Sequence, residues 1–586
     1  WDAPILVSSH APNRIYFASQ RVWKSEDRGD SWTAISSDLT RNEDRMQMPI
    51  LGQKWSWDAQ WDFNAMSVYN TITSLSESPK QAGLLYAGTD DGIVQVTNNG
   101  GQDWTKIETG SMPGVPGTAF INDVKADLHD ANTVYVAMDN HKYGDFKPYL
   151  LKSTDQGKSW KSITGNIPDR HLIWRMVQDH VNPNLLFAAT EFGIYFTLDG
   201  GEYWSKLKGS PTIPFRDIVI QKRENDLVGA SFGRSFFVLD NYAPLREVNP
   251  ELKEQEATLF AVKDAKWYLQ RSLGGSQGSA YYSAPNPAYG ATFTYYLSEG
   301  LTTKKSERMK DEKKADELSF PSWDDLEAER RQPKPKIWLT IKDQEGKVVR
   351  RMTGPSSKGM HRVAWDFRYN GKNGIRLGQS SRGWFGRGFM AMPGSYTVAL
   401  SKEIDGKITQ LTDPVNFKVE RLRKGALPEQ APQSIMAFRE EMEDFLQSYS
   451  AVNVMMDQSM DKVKAMQTAL SRSDVDNPGL NEQLYTIMQD LHNINEEMNG
   501  NRSKSTIGER NKPTIGSRMS VAFRGMNTTY GPTKTHRASL KIAQDELASM
   551  QGKVEAVNSQ IEELEAPLQA AGAPWIEGQA APNKNK

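Results

Sequence analysis

One short motif, met four times, limits what this chain can fold into more than anything else in its 586 residues. A hydroxyl residue (Ser25, Thr97, Ser153, Thr197) is followed two positions on by Asp27, Asn99, Asp155 or Asp199. Four on comes Gly29, Gly101, Gly157 or Gly201, and seven on comes Trp32, Trp104, Trp160 or Trp204. Each residue type suits a hairpin turn. Asp or Asn accepts the backbone N–H groups of its own turn, Gly takes a positive φ that other residues resist, and Trp buries a large face between neighbouring units. Strand patterns precede each motif, as in Leu84-Leu-Tyr-Ala-Gly88 and Leu185-Leu-Phe-Ala-Ala189, and a last strand opens at the Trp. The Trp residues are 72, 56 and 44 positions apart. A unit near the shortest spacing with four short strands is a propeller blade, and the longer intervals require insertions. A fifth copy, around 226–239, keeps the strands and lacks the motif.

The motif resembles the Asp-box, or BNR, repeat of sialidases, xyloglucan-type glycosidases, sortilins and photosystem-assembly propellers. The resemblance covers residues 1–247 and implies a partial β-propeller of about five blades. It also implies that the box residues are structural, so no catalytic role is expected of them. Five blades are fewer than such propellers usually have, and an open sheet edge invites pairing. An N-terminal segment that completes the propeller is therefore an expected partner.

The insertion at about 43–70 is the loop in which function is most readily looked for, because long loops on a rigid scaffold often bear it. It contains Trp55, Trp57 and Trp61 with Asp58 and Asp62, a candidate binding loop for a glycan or a peptide. Glycoside hydrolysis needs two carboxylates at a defined separation. Asp58, Asp62, Asp90, Asp91, Asp123, Asp127 and Glu191 are candidates, and the sequence singles out no pair. Asp90-Asp91-Gly92 reads as an inter-strand turn.

Residues 248–425 return to alternating strands at short spacing, the pattern of a β-sandwich. Their order resembles the immunoglobulin-like module of the flagellar hook-cap scaffold protein. Two insertions interrupt it. Residues 302–335 are highly charged and read as a solvated helix or loop. Residues 368–392 are rich in Gly and Arg and read as a loop that packs on the propeller or on a partner protein. From 426 the apolar period changes to alternate threes and fours: Phe438, Met442, Phe445, then Leu484, Ile487, Leu491, then Leu547, Met550, Val554. That period predicts a three-helix antiparallel, coiled-coil-like bundle over 426–570. The basic segment 500–537 then becomes a connecting loop and 571–586 a flexible tail.

The fold class is thus multidomain and mainly β, with an all-α bundle at the end. The net charge of −1 argues against nucleic acid as a partner. With no Cys there is no disulfide framework and no Cys-based zinc site. No metalloprotease, nucleophile-elbow or dinucleotide motif is present, so no catalytic residue, metal or cofactor is assigned. In its serial order the whole chain resembles the C-terminal half of large exported sortilin-like/BNR-repeat proteins of Bacteroidetes and related bacteria. The resemblance implies an extracytoplasmic place, in the periplasm, at the outer membrane or on the cell surface, with membrane association only through partners. The leading expectation is a non-catalytic, protein-binding scaffold. The alternatives are a glycoside hydrolase or carbohydrate-binding propeller and a sortilin-like peptide binder.

Overall fold

The computed structural model describes residues 3–580, apart from 50–51, 66–68, 271–277, 279–281, 318–319, 376 and 378–386. The chain forms two compact units, Trp1–Pro250 and Glu251–Lys586.

The first unit is a run of antiparallel sheets in chain order. The first blade is β1 (Ile5–Val7), β2 (Ile15–Ala18), β3 (Val22–Ser25) and β4 (Thr33–Ala34). The second is β5 (Ile72–Glu77), β6 (Leu85–Thr89), β7 (Ile93–Thr97) and β8 (Thr105–Glu108). The third is β9 (Phe120–Ala126), β10 (Val134–Asn140), β11 (Asp145–Ser153) and β12 (Lys161–Ser162). The fourth is β13 (Ile173–Gln178), β14 (Leu186–Thr190), β15 (Gly193–Thr197) and β16 (Trp204–Lys206). The fifth has three strands, β17 (Phe215–Gln221), β18 (Asp226–Ser231) and β19 (Phe236–Leu239). This is a β-propeller arc.

Apolar clusters lie between successive blades, as where Tyr86 and Val94 of the second meet Ile121, Val124 and Val136 of the third. The innermost strands depart from simple apolar alternation and lock to one another through buried polar groups. Val124 N–H donates to Ser74 Oγ at 2.9 Å, Ala126 N–H to Ser76 Oγ at 3.0 Å, and Met176 N–H to Asp123 Oδ2 at 3.2 Å. Buried polar groups persist in a core only when paired in this way. At the two ends of the arc, Ile5 and Val7 of the first blade and Val219, Phe236 and Val238 of the fifth are exposed.

The second unit holds a two-sheet sandwich and a helical bundle. One sheet is built from β20 (Ala257–Leu259), β22 (Ala291–Leu297) and β25 (Gly359–Trp365). The other contains β21 (Ala265–Trp267), β23 (Lys336–Asp343), β24 (Val348–Gly354), β28 (Gly394–Ile404), β29 (Lys407–Gln410) and β30 (Val415–Arg421). Phe293, Tyr295 and Trp365 of the first meet Ile337, Leu339, Val398 and Phe417 of the second in one core. β26 (Arg368–Asn370) and β27 (Arg387–Met390) form a separate ribbon within the Gly/Arg-rich insertion. Part of that insertion, including 378–386, lies outside the described residues. The charged insertion forms two short helices, Lys304–Glu312 and Trp323–Arg331, joined where Arg308 pairs with Glu329 at 2.7 Å.

The bundle is built on helices Pro432–Leu470, Pro478–Asn499 and Lys534–Glu563. A fourth, Ile515–Arg524, lies inside the segment expected to be a connecting loop. Its Ile515, Met519, Ala522 and Phe523 are buried with the other helices, and Thr514 and Ser517 form a capping box at its start. Nor does the stretch after 570 hang free through its length: Ile576 is buried in the bundle core, and Asp474 N–H bonds Ala571 O at 3.2 Å. The last six residues lie outside the described part.

Candidate functional site

The box side chains are spent inside their own turns. Asp155 accepts Ser153 Oγ–H at 2.7 Å, Ser159 N–H at 2.9 Å and Ser159 Oγ–H at 2.6 Å. Asp27 does the same with Ser25 and Ser31, and Asp199 with Thr197, Glu202 and Tyr203. Asn99 accepts from Thr97 and from Asp103 N–H. In each copy the box hydroxyl also accepts the glycine N–H, at 2.7 to 3.1 Å. The four glycines have φ between 90° and 110°, which a side chain would strain. Hydrogen bonds from Ser159 and Ser31 hold the Asp155 and Asp27 carboxyls down at about 2.

Two box Trp residues act across blade boundaries. Trp104 Nε1–H donates to Ile35 O at 3.1 Å, and Trp204 Nε1–H to Ile163 O at 2.8 Å. Trp32 departs from the expected wedge. It is 42% exposed and its N–H returns to Gly29 O of its own turn at 3.0 Å. No blade precedes it among the described residues.

Strand order places the boxes on one face of the arc. The opposite face gathers the turns between second and third strands with the loops that enter each first strand. The 43–70 insertion is one of those loops. It is tied down at its start and its end. Arg41 N–H donates to Asp91 Oδ2 at 2.6 Å, and Arg41 Nε–H to Asp91 O at 2.7 Å. Asn70 and Glu43 exchange two bonds, and Thr71 N–H donates to Asp90 Oδ1 at 2.8 Å. The short helix Gln60–Ala65 buries Phe63. Trp57 and Trp61, in contrast, are 75% and 86% exposed. Trp55 and Asp62 are half-buried and Asp58 is exposed.

Neighbouring blades add chemistry to this face that no sequence motif announced. Asp139 binds the His141 ring, and Trp174 Nε1–H donates to Glu191 Oε2 at 3.0 Å. The Arg216 guanidinium stacks 3.5 Å above the Trp174 ring, with Phe232 at 5.4 Å. His141 meets Trp174 edge-on at 5.8 Å. Burial pushes the Asp90 carboxyl up to about 6, assisted by the charge of Asp91. Burial also raises Asp91.

Of the seven candidate carboxylates, Asp58, Asp62, Asp90, Asp91 and Glu191 therefore share one face. Asp123 is buried in β9 between blades, and Asp127, at the box end, binds Tyr135 Oη–H at 2.9 Å. Two grooves lie between blades, one between the second and third and one between the fourth and fifth, the latter lined by residues 207–211 of the loop that enters β17. Among the described residues, no three His, Asp and Glu side chains gather as a metal-holding group, and no helix is long and apolar enough to cross a membrane.

No family model matches the chain. A xyloglucanase of Hypocrea jecorina (strain QM6a) is 28% identical over 140 residues, which are 22% of this chain and 17% of that protein. A xyloglucanase of a Paenibacillus species is 29% identical over 156 residues, 23% of this chain and 14% of that protein. The matched segments are thus small parts of both relatives. Among solved structures, an ancestral GH74 enzyme is 13% identical with a TM-score of 0.30, covering 73% of this chain and 47% of its own.

Proposed function

We propose that the propeller is a carbohydrate-active module of the glycoside-hydrolase kind, gripping an extended xyloglucan-class polysaccharide across the face that bears the 43–70 insertion. The observation that supports it most is the pair of exposed indoles, Trp57 and Trp61, on a loop anchored to that face. A flat apolar ring with one polar edge is an expensive group to leave in water and a good one on which to stack a sugar ring. Both curated relatives being xyloglucanases favours this reading over the non-catalytic scaffold expected from the sequence. Hydrolysis requires two carboxylates flanking the bond. Asp58, Asp62 and Glu191 are this chain's candidates. Asp90 and Asp91 hold the insertion in place.

The test is retention of the protein on insoluble xyloglucan together with release of reducing ends. Retention with release supports a hydrolase, and retention alone reduces the proposal to a binding module. Passage through the column unretarded sinks both.

A second reading, a scaffold component of a bacterial envelope complex, is favoured by the exposed apolar ends of the arc. Single exposed apolar residues are ordinary, but exposed apolar side chains grouped on one blade sheet suit a protein partner. The resemblance to exported sortilin-like/BNR proteins supports an extracytoplasmic place under either reading, and a peptide ligand under the sortilin-like one.

A further inference from the structure

The boundary between the second and third blades differs from the other box-bearing boundaries. Where the first blade meets the second, and the third meets the fourth, a box Trp N–H donates to the carbonyl of the isoleucine three residues past the preceding box Trp: Ile35, then Ile163. The box glycine presses on that same carbonyl. A Cβ built on Gly101 would lie 2.5 Å from Ile35 O, and one on Gly201 2.9 Å from Ile163 O. By this rule Trp160 should donate to Ile107 O. It does not: its Nε1–H is buried without a hydrogen-bond partner. The three atoms nearest a Cβ on Gly157 are side-chain atoms, led by Ile107 Cδ1 at 2.8 Å. A groove of about 580 Å³ opens at this boundary, between β8 and the turn 156–158.

One wall of the groove is β8 itself. It is four residues long against two, two and three for the other fourth strands, and it is the last strand of its sheet. Thr109 N–H bonds Gly92 O, and Val94 pairs with Ile107 in register. With the two-residue period of an antiparallel ladder, the N–H and C=O of Lys106 therefore point outward and have no strand partner. Among the described residues that line the groove none is aromatic, so they offer no platform on which a sugar stacks. Among its charges, Lys106 pairs with Glu108 at 3.0 Å and Asp103 accepts from Asn99 at 3.1 Å. Lys158 makes no ion pair among the described residues.

We propose that this boundary is a binding site for an extended polypeptide segment that adds to the outer edge of β8 and sets an acidic side chain against Lys158. An unpaired strand edge beside a groove of this size supplies main-chain hydrogen bonds for affinity, and the groove's walls select side chains. At this boundary the wedge Trp160 is in place, and Ile107 O is held by the β7–β8 ladder instead of by the wedge N–H. The site is separate from the Trp57–Trp61 face and does not depend on the glycan proposal.

A displayed library of random dodecapeptides, panned on the full chain, supplies the probe. Selected peptides are synthesised and titrated by fluorescence polarisation. Lys106→Pro deletes the outward N–H and leaves the β7–β8 ladder intact, so it should weaken binding at least tenfold with an unchanged melting temperature. Lys158→Glu should weaken the acidic peptides at least threefold. Bound peptide should slow hydrogen exchange at the Lys106 amide of the wild type. Peptides that bind both variants within twofold of wild type, or a selection that yields no binder, overturn the proposal. So does a xyloglucan oligosaccharide that occupies the groove in place of peptide, as read by loss of its binding in Lys106→Pro.

Discussion

Asp90 and Asp179 are both buried carboxylates of the propeller, and their surroundings drive them in opposite directions. Burial raises Asp90 to about 6 from an ordinary value of 3.8. Its folded form therefore gains stability from the proton. That stability is present in acid and lost as pH rises through about 6, a difference of about 3 kcal/mol at most. Asp90→Asn keeps an acceptor for Thr71 and removes the charge. It should raise the melting temperature at pH 7.5, with the gain shrinking toward pH 4, as read by thermal unfolding across that range. Asp179 is also opposed by burial, but Arg246, Tyr242 and the Asn182 N–H outweigh it and hold its carboxyl low. Arg246 donates twice, at 2.9 and 2.7 Å, and Tyr242 once at 2.5 Å. The stability this clamp provides is present at neutral pH and is lost only as acid carries the pH through the lowered value. Asp179→Ala strands a half-buried guanidinium and should cost about 3 to 5 kcal/mol in urea unfolding. Neither role is legible in the sequence. Arg246 lies 67 residues from Asp179, and only the fold brings them together.

At the scale of elements, the box turn was legible because its motif chemistry is local: the bonds its Asp or Asn and its hydroxyl accept lie within four residues. The wedge was legible only in part. Trp204 and Trp104 span a boundary, while Trp32 and Trp160 have the same motif and no partner carbonyl across one. The motif cannot report whether a neighbouring blade is there or how closely it packs. A direct comparison tests this. Trp204→Phe loses a bond and leaves Ile163 O unpaired, while Trp160→Phe removes an N–H that has no acceptor. The first should therefore cost about 1 to 3 kcal/mol more than the second by chemical denaturation. Equal costs would mean that the boundary bond contributes nothing. The helix Ile515–Arg524 was hidden by composition. Its buried positions fall at i, i+4, i+7 and i+8, a helical period, but Gly, Ser and Arg between them give the stretch the look of a solvated strap. The parallel pairing of β21 with β30 was invisible for another reason: it joins strands about 150 residues apart, and no local pattern encodes such a partner.

For the molecule as a whole, five blade sheets, a sandwich and a bundle were readable because each imposes its own period on the sequence. The proposed binding face was readable in one loop and not beyond it. The 43–70 insertion declared itself by its Trp residues. The Trp174, Arg216, Glu191 and His141 cluster is assembled from two blades and the turn of a third, each contributing one or two unremarkable residues. If that cluster extends the sugar-binding face, Arg216→Ala should weaken xyloglucan binding severalfold without unfolding the arc, since the side chain lies over Trp174 rather than in the core. In the proposed function the two exposed indoles hold the polysaccharide. The most direct test is calorimetric titration of a xyloglucan oligosaccharide into the wild-type chain and into Trp57→Ala/Trp61→Ala. Wild-type binding should fall at least tenfold in the double variant, with melting unchanged. Binding of equal strength in both, or none in the wild type, would contradict the proposal.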